Sequence, residues 1–254
     1  MNTIKNISAV ARTFTILEKL SAVSSSGIED LAKSTGLAKA TVYRFLLTLR
    51  DLGYVRRGEG DRWYLTLRLF SVGSRALDHI DLPAVARPVA ELLSADLGET
   101  VHLGILEDDE VLYVLKVESR CTIRMYSRVG RRIPLYCSAM GKVLLANLPE
   151  AGRKALTESI RLVRFTPNTL KDRTALEAAL ARVRSDGFGV DAEEYEQGIT
   201  CIAAPIRDSN GSVVAALSVS WPVFRFEPAQ KEGYLRSIKT AAAEISSILG
   251  YLGD

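Results

Sequence analysis

The stretch that most restricts the fold is residues 28–52, IEDLAKSTGLAKATVYRFLLTLRDL. Ile28, Leu31 and Ala32 mark one face of a short helix, which Gly36 stops because glycine takes a left-handed backbone at little cost. The chain restarts about three residues later. Val42, Phe45, Leu46, Leu49 and Leu52 then recur at helical spacing as a buried stripe, leaving Ala40, Tyr43, Arg44 and Thr48 outward. Two short helices around a tight corner have the spacing of a helix-turn-helix, whose second helix enters a major groove amino end first.

Residues 54–65, YVRRGEGDRWYL, follow as two β-prone runs around a glycine-containing turn. This hairpin places Arg56, Arg57 and Arg62 near its tip, as a wing able to touch phosphates. An ordinary helical hairpin with a solvated Arg44 would show the same helix spacing. A plain packed hairpin explains Trp63 and Leu65 but leaves the three arginines without a purpose. The residues expected to face DNA are therefore Lys39, Thr41, Tyr43, Arg44, Thr48, Arg56, Arg57 and Arg62. Guanidinium groups can bond guanine edges or phosphate, and hydroxyls can bond phosphate. Upstream, AVARTFTILEKLS reads as an amphipathic helix with Val10, Phe14, Ile16, Leu17 and Leu20 on its apolar stripe.

Charge supports this division without deciding it. The net charge is +3, yet residues 1–78 hold 12 Lys/Arg against 7 Asp/Glu, and the rest is slightly acidic. Such an imbalance suits a polyanion-binding head and is also within ordinary surface variation. At 254 residues and 47% hydrophobic, the chain has material for a small and a medium core. A helical pattern with Leu69, Val72, Ala76 and Ile80 leads out of the wing, and Pro83 interrupts it. The expected domains are residues 1–78, a DNA-binding head with its linker helix, and 79–254. Three dispersed cysteines and two histidines give neither a disulfide framework nor a metal-ligand cluster. No long apolar run suggests a membrane span, and MNTIKNISAV lacks a signal-peptide profile, so a cytoplasmic protein is expected.

Beyond residue 98 the period changes. TVHLGILEDDEVLYVLKVES reads as a hairpin around EDDE, with TIRMYSR as a third strand. Helices are expected at 138–147, 149–157 and 172–186, a second hairpin around DSNG, and a closing helix at 228–250. This is an α+β pattern, an antiparallel sheet covered by helices. No nucleotide-binding glycine motif occurs.

The run PLYCSAMGKVLLA admits three readings. Cys137 or Ser138 could be a nucleophile with Lys142 as base, which would make the protein an enzyme acting on a keto acid. The spacing offers no supporting triad, and Lys142 would have to be desolvated. Ser138 could simply cap a packed helix. Alternatively, the helix start could seat a carboxylate on free N–H groups and the positive dipole end. Ser218 and Ser220, two apart on an otherwise apolar strand, and Asp191, closing another, favour a pocket. Glu193 and Glu194 read as a solvated loop.

Together STGLAKATVYRFLLTLRDLGYV, the wing, PLYCSAMGK, VDAEEYEQGITCIAAP and AALSVSWP resemble the IclR-type transcriptional regulators over nearly the whole chain. YLTLRLFSVGSRALDHIDL and IRMYSRVGRRIPLY are most similar to members that sense 2-keto-3-deoxygluconate. The resemblance implies a winged helix-turn-helix on a palindromic operator in double-stranded DNA, and a GAF/profilin-like domain that binds a small organic acid. It further implies a homodimer or homotetramer, no metal, no cofactor and no membrane association. It assigns ligand contact to Met125, Ala139, Met140, Asp191, Cys201, Ser218 and Ser220. Two departures stand out: Ala38 and Ala40 replace the serines of many relatives, and Met140 is larger than its counterpart in some.

Overall fold

The computed structural model describes residues 7–77, 81–121 and 127–253, and these form two compact units, residues 1–80 and 81–254. The join expected near residue 79 lies outside the described residues.

In the first unit α1 (Ser8–Ser21), α2 (Ile28–Thr35) and α3 (Lys39–Asp51) precede the strands β1 (Val55–Arg57) and β2 (Trp63–Leu65), and α4 (Leu67–Leu77) follows. Gly36 ends α2 at φ +68, the left-handed conformation its position requires. Ile16, Leu17, Leu20, Leu31, Val42, Leu46, Leu49, Val55 and Trp63 form one small core. Each such leucine or isoleucine removed from water contributes about 1.5–3 kcal/mol.

That core corrects three expectations. Val10 and Phe14 are more than half exposed, and so is Leu52. At 100° per residue the apolar residues of α1 spread over about 160° of its circumference, wider than the surface packed against it. The contact centres on Ile16 and Leu20, which puts Val10 and Phe14 on the open flank. Leu52 stands past the last turn of α3 as its C-cap. On α4, Val72 of the expected stripe is also exposed.

The second unit opens with α5 (Leu82–Leu97). Its Asp81 cap accepts from the Ala84 N–H, and Pro83 sits in the first turn, where its missing donor costs nothing. Next come β3 (Thr100–Glu107), β4 (Glu110–Val117), β5 (Arg132–Pro134), α6 (Ala139–Ala146), α7 (Glu150–Ser159) and α8 (Arg173–Asp186). β6 (Gly189–Ala192), β7 (Ile199–Arg207), β8 (Val213–Pro222) and α9 (Lys231–Ile248) complete it. The strands make one antiparallel sheet in the order β5-β4-β3-β8-β7-β6. Both expected hairpins are present, and the central β3–β8 pair joins them. The third strand expected at TIRMYSR falls mostly within residues 122–126, outside the described residues, and β5 lies further along.

Side-chain alternation gives the sheet two different faces. Val101, Leu103, Ile202, Ala204, Ile206, Leu217, Val219 and Trp221 pack with α5 and α9 in one large core. The opposite face meets α6 and α8 through Val111, Ile133, Ala203 and Ala216. Glycine permits the close approach of α6, since a Cβ at Gly141 would lie 2.3 Å from the Leu135 carbonyl oxygen, and one at Gly189 would lie 2.5 Å from that of Ala139. Among the described residues no helix is long and apolar enough to cross a membrane.

Candidate functional site

On α3, Lys39, Tyr43, Arg44 and Thr48 are exposed and Thr41 is half-buried. The Ala38 cap offers no side-chain bond, so the amino end of α3 keeps free donors. Lys39 pairs with Glu29 of α2. Thr48 donates to the Arg44 carbonyl at 3.1 Å, and the Tyr43 ring stands edge-on to Trp63 at 6.5 Å. Arg12 of α1 joins Thr41, Arg44 and Thr48 around an open groove. It was not singled out by sequence because it lies on another helix.

The wing arginines all have internal contacts. Arg56 lies over the Tyr64 ring at 4.4 Å, and Arg57 pairs with Asp61 at 2.6 Å. Arg62 donates to the hydroxyl of Ser25 at 2.8 Å and to its carbonyl at 2.6 Å. It therefore fastens the wing to the loop before α2. An exposed ion pair such as Arg57–Asp61 contributes little stability.

In the second unit, a cavity with about 540 Å³ of empty space, part of it open to solvent, lies between the start of α6 and the sheet. Ser138, Ala139, Met140, Asp191, Cys201, Ser218 and Ser220 all line it. Met125 lies outside the described residues. Its lining combines apolar walls with a few convergent polar groups, the usual make-up of a small-ligand site.

Ser138 caps α6, its hydroxyl accepting from the Gly141 N–H at 3.1 Å and donating to the Pro134 carbonyl at 2.8 Å. The Ser138 carbonyl accepts from Lys142. No helix carbonyl can reach the N–H groups of Ala139 and Met140, and the positive end of the dipole coincides with them. Asp191, on edge strand β6, is buried; burial first of all, against the pull of its bond from Glu194 and of Lys142, pushes its carboxyl up to about 7. Cys201 donates to Ser220 at 3.2 Å, and burial pushes its thiol upward.

Sequence reading missed the rest of the lining, including His102, Tyr113, Ser127, Arg131, Tyr195 and Glu196. His102 could have been found: Val101, Leu103 and Ile105 alternate with it, so it faces away from the core, as Ser218 does. What sequence does not supply is the register that makes His102 and Ser218 partners across β3 and β8. Burial, reinforced by Lys116, lowers the imidazole to about 3, so the ring is uncharged at neutral pH.

The nucleophile reading finds no matching geometry. Cys137 is fully buried, and burial pushes its thiol up to about 12. Ser138 is engaged as the cap. Lys142 is buried and paired with Glu194. That pair also corrects the reading of Glu194 as solvated. An ammonium drawn under α6 requires a counter-charge, and the loop supplies it, held by Thr169 donating to the Glu194 carbonyl at 2.7 Å. Among the described residues no cluster has the composition of a metal site.

Two family models match the chain: the IclR helix-turn-helix domain over residues 9–59, and the C-terminal domain of the bacterial transcriptional regulator IclR over residues 74–247. The transcriptional regulator KdgR of Escherichia coli K12 is 42% identical over 97% of this chain and 94% of its own. The crystal structure of Thermotoga maritima IclR superposes with a TM-score of 0.65 at 32% identity, covering 97% of this chain and 100% of that one. That of the C-terminal domain of E. coli KdgR gives 0.62 at 39% identity, covering 68% and 100%.

Proposed function

The chain belongs to the IclR family of transcriptional regulators, and from that premise we propose that it is a repressor of sugar-acid catabolism, released from or remodelled on its operator by a 2-keto acid such as 2-keto-3-deoxygluconate. The observation that carries this reading is the convergence of the free amino end of α6 with Asp191, Cys201, Ser218 and Ser220 around one cavity, in a chain that also bears a winged helix-turn-helix. The α6 donors and the strand serines would hold the ligand's carboxylate and keto oxygens, and Asp191 would take its hydroxyls. The similarity to the KdgR regulators of Escherichia coli and Dickeya chrysanthemi supports this reading. Met125 is proposed as an additional contact by resemblance alone.

The head would bind a palindromic site in double-stranded DNA as part of a cytoplasmic homodimer or homotetramer, with α3 in the major groove and the wing on adjacent phosphates. Ligand control requires the acid to bind the arrangement that holds DNA poorly better than the one that holds it well. A gel-shift titration of promoter DNA with and without 2-keto-3-deoxygluconate, alongside thermal melting, tests this. If the acid changes neither operator affinity nor melting temperature, the proposal fails.

A further inference from the structure

The floor of the cavity carries polar or aromatic side chains strand by strand. Asp191 stands on β6, Cys201 on β7, Ser220 on β8, His102 on β3 and Tyr113 on β4, all on the face turned to α6. In the sheet these strands are consecutive neighbours. Adjacent strands lie roughly 4.8 Å apart, so Asp191 to Ser220 covers about 10 Å across the sheet, and Ser220 to Tyr113 about 10 Å more. With its carboxylate at the start of α6, a three-carbon acid would be too short to span this floor, whereas a six-carbon chain would have the length to reach β3.

We propose that His102 is a specificity-determining residue of this cavity, its imidazole together with Ser127 receiving the hydroxylated carbons of a long 2-keto acid whose carboxylate sits at α6. The inference rests on the reading of the cavity as the effector site and adds how that site tells a sugar acid from a shorter or unhydroxylated one.

Three features of His102 carry it. The ring is fixed, stacked on Tyr113 with centroids 4.7 Å apart. It is buried and uncharged, so it offers one donor and one acceptor, the pairing a ligand hydroxyl satisfies. Its two nitrogens are also unequally served. Nε2 is 2.7 Å from the Ser127 hydroxyl, whereas Nδ1 is 3.5 Å from that of Ser220, a long hydrogen bond. Because Cys201 donates to Ser220, the Ser220 hydroxyl is free to donate to Nδ1, which leaves Nε2–H to donate to Ser127. A ligand hydroxyl beside Nδ1 would replace that long bond with a short one.

Calorimetric titration of the full-length protein tests this with pyruvate, 2-ketohexanoate and 2-keto-3-deoxygluconate as probes. The wild-type protein should prefer the hydroxylated six-carbon acid to both others. His102→Phe keeps the ring stack and removes both nitrogens, and it should reduce that preference about tenfold, the worth of one well-made buried hydrogen bond. Ser127→Ala should reduce it in the same direction and carries the test if His102→Phe does not melt cooperatively. Equal weakening of pyruvate and 2-keto-3-deoxygluconate, or a preference that survives both substitutions, overturns the assignment while leaving the effector site standing. A wild-type protein that binds none of the three acids overturns both.

Discussion

The backbone N–H of Glu194 donates to Asp191 Oδ1 at 2.7 Å, tying the carboxyl that faces the cavity to a residue whose own side chain is paired with Lys142 of α6. Cavity, edge strand and helix are thus linked through one loop.

Asp191 should make both stability and ligand affinity depend on pH near neutrality. Its folded carboxyl titrates at about 7, raised from its ordinary value of 3.8 by burial. Between those values the folded protein holds a proton that the unfolded chain releases, so stability falls as pH rises from about 4 to 7, and above 7 the full penalty of the buried charge is present and no longer changes with pH. A bound carboxylate raises the group further. Binding should therefore take up a proton at pH 7–8 and weaken as pH rises, as calorimetry in buffers of different ionisation enthalpy would show. Asp191→Asn should abolish the uptake, while its amide oxygen still accepts from Glu194. Unchanged proton uptake in that variant would rule Asp191 out as its source.

Lys142→Met leaves the buried Glu194 carboxylate without its partner and should cost about 3–5 kcal/mol in denaturant unfolding of the second unit. Adding Glu194→Gln removes the stranded charge and should recover most of that loss. A double variant no more stable than the single would mean that the pair matters for packing instead of charge.

Gly141→Ala would drive a methyl group into the Leu135 backbone beneath α6. Overpacking of this kind costs about 1–3 kcal/mol and here would also lift the ligand seat, so melting temperature and acid affinity should fall together. Stability lost with affinity retained would place the seat elsewhere.

Arg44→Ala should lower affinity for the specific operator by about 1–3 kcal/mol and affect random DNA less, as measured by fluorescence anisotropy at fixed salt. Equal losses on both would reduce Arg44 to a phosphate contact. Arg62→Ala, which loses its hold on Ser25, should instead loosen the wing, seen as faster amide exchange at Ser26 and Trp63, the pair that bridges loop and wing.

Local physics made much of this molecule legible without its fold. Gly36 between two helical stripes announces the corner, because its left-handed backbone suits glycine. The turns EDDE and DSNG separate runs of period two, and alternation alone places Ser218 and Ser220 on one face. Ser138 caps α6 through a bond three residues away. All these signals lie within a few residues of each other in the chain. The tertiary structure decided what depends on distant partners. An apolar arc on α1 does not say which part will be covered, and packing leaves Val10 and Phe14 outside the core. An acidic loop does not say that a lysine 52 residues earlier requires one of its carboxylates, and that demand is what buries Glu194. His102 meets Ser220 across 118 residues of sequence, and only the β3–β8 register brings them together. The sequence determines which side each residue faces; the packed sheet determines what it meets there, because pairing register is a property of two segments at once.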